Sequence, residues 1–100
     1  MKKQTYNYPC FVYVLASVGA EKPTTYVGWT VDLNKRLLAH NAGTGAKSTR
    51  GRQWAIIHSE AFKTRCEAMS REWHLKRDRK LRKSLLETYL KAQGLKNSLL

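Results

Sequence analysis

The sequence predicts an α/β fold of the α+β kind: a three-stranded, mainly antiparallel sheet flanked by helices, in the order β-β-α-β-α-α. Two patterns carry that reading. Residues 10–16, Cys-Phe-Val-Tyr-Val-Leu-Ala, form an almost unbroken apolar run. Its β-branched and aromatic composition suits a central strand covered on both faces. Downstream of Asp32, three stretches take on helical spacing of their apolar residues instead.

In the first strand, Phe11, Tyr13 and Leu15 share one face, and Cys10, Val12 and Val14 share the other. Ser17 to Thr24, which holds Gly19 and Pro23, reads as a turn. The short connection makes the second strand, Thr25 to Trp29, antiparallel to the first. Asp32 suits the N-cap of a helix running to about Asn41, with Leu33, Leu37 and Leu38 as its buried stripe and Gly43 as its stop. Asn41 to Gly51 is a loop with three glycines. Gln53 to Glu60 is the third strand. A longer helix starts near Thr64, with Glu67 in capping-box register. Phe62, Cys66, Met69 and Trp73 follow one another at steps of four, three and four and are its expected buried stripe. The last helix sets Leu81, Leu85 and Tyr89 on one face with Leu86 and Leu90 beside it, and Gly94 is its expected end. One domain over 10–92 results, with short tails at 1–9 and 93–100.

A chain of 100 residues makes one domain with a modest core. An apolar content of 42% argues against a disordered basic tail. No run is long enough for a membrane span. Met1-Lys2-Lys3 leads into polar residues instead of an apolar segment, so no export signal is expected and the cytoplasm is the expected location. Cys10 and Cys66 are expected to be reduced and packed as small hydrophobes. Together with His40, His58 and His74 they lack the clustering of a zinc site. The net charge of +12, from 19 basic and 7 acidic residues, points to an anionic polymer as partner. Nucleic acid fits better than a membrane surface, since the basic helix lacks a broad exposed apolar face.

Five residues then stand out. Tyr13 and Tyr26, on neighbouring strands, are either an aromatic pair in the core or two phenols at a site. Gly28 favours a site, because glycine weakens a strand unless backbone or ligand must come close. A phosphate or an attacking water near both phenols is the expectation. Arg36 and His40 lie one turn apart on one helix face. An Asp32–Arg36 ion pair is the bland alternative there, but a guanidinium also offers paired donors to a phosphate. Glu72 is one of three acids in the segment 63–83, which holds nine Lys or Arg. An ion pair with Lys76 would account for it. So would a role holding Mg²⁺, which takes one or two protein carboxylates together with phosphate and water. The stretch Gly43-Thr-Gly-Ala-Lys-Ser is not a phosphate loop, because Ala46 separates glycine from Lys47 and no strand directly precedes it. A basic loop touching a nucleic-acid backbone is the simpler reading.

The set Phe11-Val12-Tyr13, Tyr26-Val27-Gly28, Arg36, His40 and Glu72 resembles the GIY-YIG nuclease superfamily over about residues 11–85. It is most similar to the small stand-alone branch, related to the catalytic modules of UvrC and the Slx-type structure-specific endonucleases. His40-Asn41, Gly45-Ala46-Lys47, Thr49-Arg50-Gly51 and Trp54 extend the resemblance. Phe11 departs from it, standing where many members have glycine. The resemblance implies the predicted fold and a metal-dependent endonuclease that hydrolyses phosphodiester bonds in DNA, or in RNA, with repair or recombination as its setting. Glu72 would hold Mg²⁺ or Mn²⁺, Arg36 would clamp phosphate charge, and Tyr13, assisted by Tyr26 or His40, would accept the proton of the attacking water. Lys35, Asn41, Lys47, Arg50, Arg52 and Lys76 are the expected contacts to nucleic acid, with DNA preferred over RNA, and a partner protein would supply substrate choice. Two other readings stand beside this one. One is a non-catalytic nucleic-acid-binding module with the same fold, and the other is an RNA- or ribosome-associated structural protein.

Overall fold

The computed structural model describes residues 9–19 and 22–98, with side chains described through Gly94. The expected N-terminal tail up to residue 8 lies outside the described residues, as do 20 and 21 of the first turn and the final residues 99–100.

Strand β1 (Cys10–Ser17) is the middle of a three-stranded sheet and pairs antiparallel with β2 (Thr24–Thr30) on one side and β3 (Ala55–Phe62) on the other. Every pairing is therefore antiparallel, and β2 is an edge. The apolar run of β1 is covered on both faces, as its composition requires. Cys10, Val12 and Val14 join Val27 and meet Ala68 and Leu75 of α2 (Arg65–Arg77), with Leu81 and Leu85 of α3 (Arg79–Ser98) packed against them. Tyr13 and Leu15, with Trp54, face the other way, toward Tyr26, Ile56, and Leu33 and Leu37 of α1 (Leu33–Ala42). One helix thus lies on one side of the sheet and two on the other.

The caps form where local chemistry places them. Asp32 Oδ1 accepts the Lys35 N–H at 3.1 Å, and Gly43 ends α1 in the left-handed region at φ 83°. Thr64 and Glu67 exchange both hydrogen bonds of a capping box, at 3.1 and 3.3 Å. At the α2–α3 corner, Arg82 donates to the carbonyls of Leu75 (3.1 Å) and Lys76 (2.8 Å), fastening the end of α2. On β3, Glu60 accepts two hydrogen bonds from Arg71, at 2.8 and 3.0 Å, and faces His58 Nε2 at 2.7 Å. The Arg71 hydrogen bond is the main reason that the Glu60 carboxyl titrates below the usual range. This clamp fixes one flank of α2 toward β3.

Four expectations are corrected. Leu38 is 70% exposed, and the inward line of α1 is Leu33, Leu37 and His40, at i, i+4 and i+7. The stripe Cys66, Met69 and Trp73 faces outward: Cys66 is exposed, Met69 is 47% and Trp73 53% exposed. Ala68 and Leu75 are buried instead, since a small side chain lets the helix come close to the sheet, and only Phe62 packs inward from the end of β3. Gly94 does not stop α3, which continues to Ser98 because φ at a glycine is free to stay helical. Within the expected 41–51 loop, Lys47–Thr49 form a turn of 3₁₀ helix.

Candidate active site

Register makes the centre of the site. Tyr13 pairs directly with Gly28, whereas Tyr26 pairs with Leu15. A β-carbon on Gly28 would lie 2.5 Å from Tyr13 Oη and 2.7 Å from Cζ. The glycine therefore makes room for the Tyr13 ring to lie across β2 toward the open edge of the sheet. The space expected for a phosphate or water at Gly28 is filled by the phenol itself. Tyr26 is a diagonal neighbour, its ring centroid 6.5 Å from that of Tyr13 and 4.9 Å from that of His40. The rings pack as a core pair, and the phenol of Tyr13 is drawn into a polar chain.

That chain runs through His40, which is fully buried on α1. Its Nε2 is 2.9 Å from Tyr13 Oη, and its Nδ1 is 2.9 Å from Thr49 Oγ1. Thr49 Oγ1 in turn donates to the Ala46 carbonyl at 2.8 Å. A hydroxyl has one proton to give. With that proton on Ala46, Thr49 accepts from Nδ1–H, which leaves Nε2 bare to accept from Tyr13. The tautomer is thus assigned by the network, and a basic nitrogen is aimed at the phenol. The surrounding loop is held firmly. Gly45 leaves space for the imidazole, as a β-carbon there would meet Nδ1 at 2.6 Å. Trp54 Nε1 donates to the Thr49 carbonyl (2.8 Å), and the Asn41 amide bonds both backbone groups of Trp54, at 3.1 and 2.6 Å.

Electrostatics connect the rest. Burial raises the pKa of Tyr13 above its ordinary value. The nearby Arg36 guanidinium, by its hydrogen-bonding influence and its charge, opposes that rise, while the charges of Tyr26 and Glu72 add to it. Arg36 from α1 and Glu72 from α2 therefore both act on one phenol from opposite sides of the sheet. Burial, followed by the charge of Arg36, lowers the pKa of His40 and keeps its ring neutral. The sign of the consequence is definite. The unfolded chain takes up this proton near pH ~6.5 and the folded chain only below that. As pH falls through this window, stability is lost and Nε2 ceases to be an acceptor. A pH–rate profile is expected to show its acid limb below pH ~6.5, with the urea midpoint falling over the same range; a limb centred above neutrality would contradict this assignment.

Glu72 is set apart from the other acids of its segment. Glu67 is used in the capping box, and Asp78 Oδ1 accepts the Leu81 N–H at 3.0 Å to cap α3. Glu72 lies on the inward side of α2, between Ala68 and Leu75, with its side chain 21% exposed. Its ion pair with Lys76 is long, at 3.6 Å. Among the described residues no three His, Cys, Asp or Glu side chains gather as a metal cluster. A single half-buried carboxylate with a loose partner fits a cation such as Mg²⁺ that keeps most of its water.

The expected nucleic-acid contacts divide. Lys35, Lys47 and Arg50 are exposed around the α1 side of the site, and Lys76 stands beside Glu72. The amide of Asn41 is taken up by Trp54, as above, and Arg52 donates to Ser17 Oγ (3.3 Å) and the Lys22 carbonyl (3.2 Å). Both make contacts within the protein. Thr49 was missed as a site residue. It is nine positions from His40 across a glycine loop, where no periodicity links the two.

An antiparallel sheet whose phenol is hydrogen-bonded to a buried imidazole and feels a guanidinium and a carboxylate, in a strongly basic chain, fits a small nuclease-type domain. The chain belongs to the GIY-YIG nuclease superfamily, and the family model for the GIY-YIG catalytic domain matches residues 9–89. It is similar to the UPF0213 protein CPE1444 of Clostridium perfringens, with 43% identity over 68 residues, 67% of this chain and 70% of that protein. It is also similar to the UPF0213 protein SAG0778 of Streptococcus agalactiae, with 42% identity over 84 residues, 83% of this chain and 89% of the relative. The UPF0213 protein VNG_2274C of Halobacterium salinarum is 44% identical over 64 residues, 63% of this chain and 83% of its own length. No solved structure matches the chain significantly.

Proposed function

We propose that the protein is a metal-dependent endonuclease that hydrolyses phosphodiester bonds in DNA, in a repair or recombination setting in the cytoplasm. One observation carries the reading: the Tyr13 phenol is held against a bare His40 Nε2, with the charges of Arg36 and Glu72 converging on it. Tyr13 is the proton relay. As water attacks the phosphorus in line, the phenol oxygen accepts a proton from that water and passes its own to His40 Nε2. The resulting imidazolium is held through Nδ1–H by Thr49. Tyr26, packed on the imidazole, orients water or phosphate. Arg36 clamps the negative charge that grows on the phosphate oxygens. Glu72 would hold Mg²⁺ or Mn²⁺, which when bound polarises the scissile phosphate and stabilises the leaving oxygen.

The surface supports a polyanionic substrate. Lys35, Lys47 and Arg50 flank the site on the α1 side, with Lys76 beside Glu72. Around the α2–α3 corner a groove of about 440 Å³ is lined by Lys22, Arg79, Lys80, Arg82 and Lys83 and by no acid. Such charge supplies affinity without sequence preference and loses it steeply with added salt. A partner protein would supply substrate choice. The test is a panel of labelled single-stranded, flapped, branched and duplex DNA, with matching RNA, incubated with and without Mn²⁺. Cation-dependent cutting of DNA ahead of RNA is expected. If every substrate is held in a salt-dependent manner yet stays whole, the chain is a binding module instead.

A further inference from the structure

We propose that the outward flank of α2, formed by Met69 and Trp73, is a stacking ledge for an unpaired nucleobase next to the bond being cut. The proposal rests on the nuclease reading above and adds a substrate class to it: nucleic acid with an unpaired nucleotide at the cut, as in a single strand, flap or branch.

The position follows from helix geometry. Successive side chains turn by about 100°. With Ala68 and Leu75 facing the sheet, Arg71 marks the β3 flank through its bond to Glu60. Arg65 marks the opposite flank, its guanidinium 5.4 Å from the ring centroid of Trp29 on β2. Glu72 lies on that second flank. Met69 and Trp73 form the next row outward on the same side, so an apolar row runs beside the carboxylate.

The chemistry selects the occupant. The indole of Trp73 is 53% exposed. The Arg77 guanidinium lies over it, 3.8 Å from the ring centroid, and donates to the Trp73 carbonyl at 3.0 Å. The platform is therefore fixed in place by a cation. Arg65, Lys76 and Arg77 surround the row, and Glu72 is the one acid on this flank. A nucleotide brings a π-face for the indole and a phosphate for this net positive flank, and an apolar protein face would bring neither. A base inside a duplex has no free face to offer, so only an unpaired one can use the ledge.

The test compares wild type, Trp73→Ala and Trp73→Phe for binding a single-stranded oligonucleotide and a blunt duplex in EDTA, where nothing is cut. Trp73→Ala is expected to weaken single-strand binding about tenfold, the scale of one stacked base, with Trp73→Phe recovering most of it. The change on duplex is expected to stay below twofold. Equal loss on both ligands, or loss on neither, overturns the ledge while leaving cutting by the wild type as evidence for the nuclease. A wild-type dimer that Trp73→Ala dissociates in sedimentation also overturns it, by assigning the flank to a second copy. Failure of the wild type to hold either ligand removes both readings.

Discussion

Glu72→Gln is expected to lower DNA cleavage about a thousandfold or more, which corresponds to the several kcal/mol that a catalytic cation supplies. The amide keeps the shape of the side chain and removes the charge that holds the metal. Little stability should go with it, because the 3.6 Å pair with Lys76 is a loose i,i+4 contact at the surface, the kind worth a few tenths of a kcal/mol. Neighbouring acids supply the contrast. Glu67→Ala breaks the capping box, and Asp78→Ala removes the cap on α3. Each should cost about 0.5–2 kcal/mol in urea unfolding and leave cleavage of the surviving folded protein near normal. The measurements are initial cutting rates in Mn²⁺, a thermal melt, and calorimetric titration of the metal. A Glu72→Gln protein that cuts within tenfold of wild type would mean that the carboxylate holds no catalytic cation.

The two kinds of structural information differ in how far they can be seen along the chain. Local chemistry was legible. The β1 run, the Asp32 cap, the Gly43 stop and the Thr64–Glu67 box each depend on residues within a few positions of one another, and each forms as read. The helix faces were less legible, because apolar spacing says which residues align but not which aligned set meets the sheet. On α2 the close approach allowed by Ala68 outweighed the larger apolar row ending in Trp73. That reversal also changes the case for Glu72. It faces inward because Ala68 and Leu75 do. Long-range register was not legible. Nothing in the spacing says that Gly28 stands opposite Tyr13 while Tyr26 stands opposite Leu15, and one residue of slip would put the phenol on the other face of the sheet. The Thr49 end of the relay depends on how the glycine loop folds back over His40, which no local rule encodes.

A single methyl group at either of two glycines should therefore damage the site from outside the substrate's reach. Gly28→Ala would push on Tyr13 Oη and Cζ, and Gly45→Ala on His40 Nδ1 and Cγ, all at 3.0 Å or less. A displaced side chain is cheap when its end swings in solvent, but Tyr13 is 1% exposed and His40 fully buried. Each ring is moreover tied to the other by the 2.9 Å bond from Oη to Nε2. Overpacking of this kind costs about 1–3 kcal/mol, and either shift lengthens or misaligns the bond along which the proton moves. Cutting should fall about a hundredfold in each variant, the share that general acid–base catalysis contributes, with the urea midpoint lowered as well. Gly94→Ala is the internal control. A β-carbon there meets nothing within 4 Å, and the residue lies within α3, so alanine should raise stability by about 0.5–1 kcal/mol and leave cutting unchanged. The double variant Gly28→Ala/Gly45→Ala separates a shared relay from two independent injuries. If Tyr13 and His40 act as one unit, its cleavage rate should sit close to that of the worse single variant; a loss equal to the product of the two would mean that the rings contribute separately and that no proton passes between them.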